Sequence, residues 1–283
     1  AGDEAPDESG TMSTRQLFTA LASAVVDTDI PNAEVNRKLW DNYAAEWGRE
    51  QPWVTRMAGD VSRDAADLPA LGCEWSDEES FRGIVERYML PYVTPASTVV
   101  ELGSGGGRVA LDVAPHAAAY HALDVSEGML GVCRAALTAA GLVSKCSFVK
   151  LAATAPVSLP PLPPVDVFIV FDVLVHVDLH SVFQYLCGIA DALAVNGHAV
   201  LSFSNLTSPL GWQRFAAQDK PSVAGFQFTS PDTVRILVAN AGLEVVEDVA
   251  AGPHTPLTGN VYLDRDHIMV VKRPAGGGGD ALD

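Results

Sequence analysis

Glu101, Gly103, Gly105 and Gly107, with Ser104 between the first two glycines, place a carboxylate just ahead of three alternating glycines. Glycines so spaced let the backbone turn sharply and admit a ligand where a side chain would collide, and free N–H groups at a following helix start favour an anionic ligand group. About twenty residues on stands a second carboxylate, Asp124, where an acidic group can accept both ribose hydroxyls of an adenosine. Farther along, Asp172 and His176 follow a nearly unbroken apolar run ending at Phe171. An imidazole titrates near neutral pH and can take a proton as a general base; equally, His176 can position the neighbouring loop by hydrogen bonding. Trp212, Arg214, Phe226 and Phe228 put aromatic rings around a lone arginine, an arrangement able to hold a carboxylate or phosphate. A surface hairpin with its own small apolar cluster is the alternative for that segment.

These residues need strand ends to hold them, and the chain alternates strand and helix signals from residue 98 onward, the pattern of an α/β fold with a largely parallel sheet. Strands are expected at 98–103, 120–124, 146–151, 165–171, 198–203, 243–249 and 267–272. Ser126 is an expected helix cap, 179–194 an expected helix leading through Asn196 and Gly197 into the fifth strand, and 232–241 a helix closed by Gly242. Residues 155–164 are proline-rich and read as an extended loop, and 205–231 as a long insertion of the kind that is usually functional. Before the first strand, helices are expected at 14–28, from about 31, and at 74–90; in the second, Trp40, Tyr43 and Trp47 share a face, as core or as a lid. Residues 1–12 read as a disordered acidic tail, 13–95 as an N-terminal helical cap, 96–273 as the ligand-binding domain and 274–283 as a flexible tail.

The glycine spacing distinguishes two ligand classes. A dinucleotide fold wants G-x-G-x-x-G, and the third glycine of that frame falls on Arg108. The frame that fits is E-x-G-x-G-x-G, and with Leu-Asp-Val-Ser-x-x-Met-Leu at 123–130 it resembles the class I S-adenosylmethionine-dependent methyltransferases of small-molecule type. The segment 172–177, with V-L-x-H, resembles the family's motif after the fourth strand. The resemblance covers roughly residues 40–272 and is strongest over 99–130. It implies a Rossmann-like seven-stranded sheet, mostly parallel and ending in an antiparallel hairpin, with helices on both faces and a helical cap. It implies S-adenosyl-L-methionine as cofactor and S-adenosyl-L-homocysteine as product. Glu101 and the loop residues Gly103, Ser104, Gly105 and Gly107 would hold the methionine moiety, Asp124 the ribose, and Val125 and Met129 the adenine face. Ala152 and Phe171, at neighbouring strand ends, and Tyr43, from the cap, would complete the cofactor contacts. His176 and Asp172 are the candidate catalytic residues, and Trp212, Arg214 and Phe228 the candidate substrate residues. One departure stands out. Residues 151–154 read Leu-Ala-Ala-Thr, without the Asp that family members often place there for the adenine amine; a backbone carbonyl or Thr154 would have to serve.

The expected reaction is an in-line attack by an oxygen, nitrogen or sulfur of a small molecule on the sulfonium methyl carbon, with alignment of donor and acceptor as the main source of rate. The rivals are a non-catalytic binding or regulatory protein on the same fold, a protein methyltransferase and, disfavoured by Arg108, a nicotinamide-dependent oxidoreductase. A formal charge of −17 and a pI near 4.6, without basic clusters, argue against nucleic-acid and anionic-membrane partners. No apolar run reaches bilayer length, and residues 1–10 lack the basic and apolar regions of a secretory signal, so a cytoplasmic protein is expected, an organelle being the alternative. The four cysteines contain no C-x-x-C pair and read as reduced thiols; His176 and His180 are the one histidine pair at helical spacing, without the Glu of a metalloprotease motif, and no metal is expected.

Overall fold

The computed structural model describes residues 30–46, 71–72, 75–218 and 226–275. The chain divides into two compact units, 1–31 and 32–283, and every helix and strand described belongs to the second. The expected helix at 14–28, Trp47 and most of 51–74 lie outside the described residues.

Seven strands form one sheet: β1 (Thr98–Leu102), β2 (Ala119–Asp124), β3 (Cys146–Lys150), β4 (Val165–Val170), β5 (Leu193–Ser204), β6 (Glu244–Ala250) and β7 (Asp266–Lys272). Their order is β3-β2-β1-β4-β5-β7-β6. β1 to β5 are parallel, and β7 runs antiparallel between β5 and β6, the hairpin that the resemblance implies. The strand order reverses between β1 and β4. Ligands of open α/β sheets bind at such a point, beyond the carboxyl ends of the strands.

Alternation along the buried strands divides the core. Val100, Leu102, Phe168, Val170, Leu201 and Phe203 pack on one face, with Leu186 and Ile189 of α5 (Leu179–Ala192) and Val234 and Val238 of α7 (Pro231–Asn240). Val99, Tyr120, Val167, Ile169 and Val200 pack on the other. There they meet Phe81 and Ile84 of α2 (Glu78–Ile84), Val109 and Val113 of α3 (Arg108–Val113), and Leu130 and Leu137 of α4 (Glu127–Ala139). Each such fully buried side chain contributes about 1.5–3 kcal/mol of hydrophobic stabilisation. Because Glu101 alternates with Val100, its carboxylate lies on the second face, in apolar surroundings. The cap contributes α1 (Asn32–Glu46).

Several local expectations are corrected. The helix expected at 74–90 is regular only over α2; its backbone continues as a π turn at Val85–Met89 and a 3-10 turn at Leu90–Tyr92, where proline has no N–H to continue an α-helix. Strand β5 begins at Leu193, and Asn196-Gly197 is an irregularity inside it, with Asn196 at φ 64°. His176 closes a 3-10 turn (Leu174–His176), while His180 lies in the first turn of α5 after the Asp178 cap, so the two share no helix face. The 205–231 insertion contains a helix, α6 (Pro209–Ala216), capped by Ser208, and the segment ahead of β7 contains another, α8 (Val261–Arg265), capped by Asn260.

Candidate active site

The carboxyl ends of β1, β2 and β4, with α1 beside them, enclose a cleft of about 990 Å³, open solvent at its mouth included. Glu101, the 103–106 loop, Asp124, Val125, Met129, Phe171, Asp172 and His176 all line it, so residues separated by more than seventy positions in the chain meet in one cleft.

The loop geometry follows from its glycines. Gly103 has φ +75°, and a Cβ there would stand 2.3 Å from Val173 Cγ2. Only glycine lets the loop turn under the end of β4. Gly107, at φ +97°, packs against Cys133 and precedes α3 without lining the cleft, so its role is to turn the chain into the helix and not to touch a ligand. Between them the Gly105 N–H donates to Asp124 Oδ2 at 2.9 Å, while Ser126 N–H donates to Oδ1 at 2.8 Å. These two bonds tie the first motif to the second and fix the Asp124 carboxylate at the cleft wall.

Neither buried carboxylate has an ion-pair partner among the described residues. Burial pushes the Glu101 carboxyl up to about 8, against a hydrogen bond from Tyr120 Oη (2.7 Å) that favours its charged form; the nearby Asp124 charge pushes the same way as burial. Asp124 is pushed up to about 6, again by burial, against its backbone hydrogen bonds. Two carboxylates held in apolar surroundings suit a ligand that brings positive charge and hydroxyl donors. Among the described residues, Asn36 Oδ1 and Arg108 Nε, both on cleft-lining residues, are buried without a hydrogen-bond partner.

Arg108 figured in the sequence only as a break in the dinucleotide frame, and it proves to be a lining residue. Its guanidinium, stacked 3.8 Å from the Phe81 ring centroid, donates to Tyr262 Oη at 2.9 Å and Ser76 Oγ at 2.7 Å. It makes no ion pair with a carboxylate among the described residues. Its position on the first turn of the helix after the loop was the available signal.

Helix α1 is held along the cleft by polar contacts. Asn36 donates to the His176 carbonyl at 3.0 Å, and Asp41 Oδ1 accepts from Ser126 Oγ at 2.6 Å and from Gly128 N–H at 3.1 Å. Tyr43 does not line the cleft: it is fully buried with Leu71 and Met129, and its hydroxyl accepts from Trp75 Nε1 at 3.0 Å. On the α1 side the aromatic surface presented to the cleft comes from Trp40 and Trp75, because the Tyr43 side of the helix faces α4. At the end of β3 the lining residue is Leu151, whose N–H donates to the Asp124 carbonyl; its neighbour Ala152 is exposed. Thr154 is exposed too and donates to the Pro156 carbonyl. The polar groups near this wall come from α5, Ser181 and Tyr185, which sequence reading missed because they sit in an otherwise apolar helix.

Asp172 adopts φ 59° at the end of β4, with its N–H donating to Ser202 Oγ and its carboxylate 3.2 Å from Arg265 Nη2. The His176 ring lies edge-on to Trp40 (5.3 Å between centroids) and to Phe226 (5.4 Å). The insertion residues Trp212, Arg214 and Phe228 do not line the cleft; they adjoin it through Phe226, as α6 seats Gly211 against the backbone of Asn205 and Arg265.

Comparison with known proteins gives a consistent picture. Residues 99–197 match the family model described as a methyltransferase domain, and no curated protein sequence matches significantly. Among solved structures, magnesium protoporphyrin IX methyltransferase ChlM from Synechocystis PCC 6803 with bound SAH is 16% identical, covering 84% of this chain and 98% of that one, with a TM-score of 0.60. The N-methyltransferase NodS from Bradyrhizobium japonicum WM9 is 18% identical, covering 70% and 99%, with a TM-score of 0.51. The [4+2]-cyclase SpnF is 17% identical, covering 69% and 80%, also at 0.51. At these identities the likeness is one of fold.

Proposed function

We propose that this chain carries a class I, S-adenosylmethionine-dependent methyltransferase domain and methylates an oxygen, nitrogen or sulfur nucleophile of a small molecule, a reading supported by the match of residues 99–197 to a methyltransferase domain and by the likeness of fold. The observation that carries this reading is the pair of buried carboxylates, Glu101 and Asp124, facing one cleft beside a glycine loop, with no protein cation to neutralise either among the described residues. S-adenosylmethionine brings an activated methyl group on a sulfonium, an ammonium and a ribose diol, which match that donor demand.

The chain's own residues then divide the work. Asp124 accepts the ribose hydroxyls, and Glu101 attracts the ammonium of the amino-acid end. Arg108, the buried guanidinium on the same wall, faces its carboxylate. Val125 and Met129 pack on the adenine, and Leu151 replaces Ala152 in that set. Ser181 and Tyr185 are the nearest polar groups for the adenine amine in the absence of a carboxylate after β3. Trp40 and Trp75 exclude water from the side of α1; Tyr43 acts through Trp75 by accepting its N–H. His176 and Asp172 both line the cleft, which supports their assignment to the acceptor: His176 takes a proton from an O–H or N–H nucleophile, and Asp172, paired with Arg265, orients the acceptor.

The test is incubation with methyl-labelled S-adenosylmethionine and a panel of small molecules grouped by nucleophile, following S-adenosylhomocysteine and labelled product together. Equal stoichiometry of the two is expected, with His176→Ala lowering turnover while cofactor affinity holds. A second reading, use of the fold without methyl transfer, draws on the missing carboxylate after β3 and on the fold's likeness to a cyclase. Cofactor binding without turnover across the panel would select it.

A further inference from the structure

The acceptor side of the cleft carries an aromatic row that the methylation reading does not explain. Trp212 and Phe215 of α6 are 58% and 42% exposed. Their rings stand 5.5 Å apart; Phe215 meets Phe228 edge-on at 5.3 Å, Phe228 meets Phe226 at 5.9 Å, and Phe226 meets His176 at 5.4 Å. The row thus runs without a break from solvent to a residue lining the cleft. Two large apolar rings left in water at the outer end of such a row mark a surface made to be covered.

Beside this row lie two guanidiniums with different fates. Arg265 and Arg214 stand 4.9 Å and 4.6 Å from the Phe226 ring centroid. Arg265 is satisfied: its Nε and Nη2 hold both oxygens of Asp266 at 2.8 and 2.6 Å, and Nη2 also reaches Asp172. Arg214 has neither a hydrogen bond nor an ion pair among the described residues. Arg214 is an exposed residue whose guanidinium is partly desolvated; that desolvation and the like charge of Arg265 push its pKa down, against the charges of Asp172 and Asp266. An anion supplied by a ligand would give Arg214 the charge partner it lacks among the described residues.

We infer that the acceptor is a planar aromatic acid, its ring lying on the Trp212–Phe215–Phe228 row and its carboxylate or phosphate held by Arg214. This rests on the methylation reading above. Arg214 does not line the cleft, so the acid is a handle held outside it, and the nucleophile is a different group, at the end of the molecule that reaches past Phe226 to His176.

The experiment is calorimetric titration of the full chain, saturated with S-adenosylhomocysteine, with 2-naphthoate, 2-naphthyl phosphate and uncharged 2-naphthamide. At least one anion is expected to bind tenfold or more tighter than the amide, its preference weakening with added salt, and the better of the two anions identifies the acid. Arg214→Gln is expected to reduce anion binding to the level of the amide with S-adenosylhomocysteine affinity unchanged. Trp212→Ala is expected to weaken all probes together and so reads the ring contact independently, should the Arg214 variant fail to fold. Equal binding of amide and anions, no binding of any probe to the saturated protein, or a persistent anion preference in Arg214→Gln would overturn the inference. Failure of the wild-type chain to bind S-adenosylhomocysteine would instead overturn the cofactor reading.

Discussion

The strand-end wall of the cleft and the β5–α7 segment beside it differ in how their charged groups are satisfied. On the strand-end wall Asp124 is locked by two backbone N–H donors and Glu101 by the Tyr120 hydroxyl, so the ligand-facing groups are fixed by the same bonds that hold the sheet ends together. In the β5–α7 segment Arg214 stands on an eight-residue helix, and its described contact is the face of Phe226. A wall that recognises a constant cofactor can be built into the fold's framework. A surface for a variable acceptor sits on a connection that can change without disturbing the sheet.

Substitutions on the two sides are expected to separate accordingly, and the largest effect belongs to the framework. Gly103→Val introduces a Cβ into Val173 at a positive φ, a strain of about 1–3 kcal/mol before the clash is counted. Its melting temperature should fall by at least about 2–4 °C per kcal/mol lost. S-adenosylhomocysteine affinity should fall by about a hundredfold or more, equivalent to about 2.8 kcal/mol. A variant with unchanged melting and affinity would break the link between loop geometry and binding. Next comes Asp124→Ala, which removes a charged acceptor of two hydroxyls and should weaken cofactor binding by at least about tenfold. An unchanged dissociation constant would remove the ribose assignment.

The third effect is a pH dependence. An unfolded Glu101 titrates near 4.5 and the folded one near 8, so between these values the folded cofactor-free protein binds the extra proton. Stability from this group is therefore greatest at low pH and declines as pH rises towards about 8. Cofactor affinity should move the opposite way, rising through the same range because the ammonium favours the ionised carboxylate. Calorimetry in buffers of different ionisation enthalpy should show proton release on binding near pH 7. Glu101→Gln should abolish that release, and release that persists in the variant would assign it elsewhere. The smallest effect is that of Tyr185→Phe, a loss of about two- to fivefold in S-adenosylhomocysteine affinity, the size of one neutral hydrogen bond. No change would leave Ser181 or the backbone to serve the adenine amine.

The sequence makes the strand-end wall legible and the acceptor side much less so, for a physical reason. Glycine spacing, an acidic residue at a strand end and a helix cap are local signals, and Glu101, Asp124 and Ser126 can be placed from them. Tyr43 lies off the cleft: helical spacing tells which residues share a face but not whether α4 or the cleft lies opposite; the partly buried Trp40 and Trp75 line the cleft instead. Ala152 failed for a one-residue reason, since successive side chains beyond β3 point to opposite sides and Leu151 takes the inward one. Gly107 was read as ligand-binding when its positive φ serves the turn into α3. Helix α6 escaped because Pro209 and Gly211 read as loop residues, although Pro suits a helix start and Gly211 is needed for close approach to Asn205. The pairing of Arg265 with Asp172 joins positions 93 apart, and no local pattern announces it.

The central claim, that the cleft at the β1–β4 reversal is an S-adenosylmethionine site built on Glu101, Asp124 and the glycine loop, is most directly tested by isothermal titration of the wild-type chain with S-adenosylmethionine and, in parallel, S-adenosylhomocysteine. One-to-one, micromolar binding of both is the predicted result. Folded protein that binds neither would contradict it.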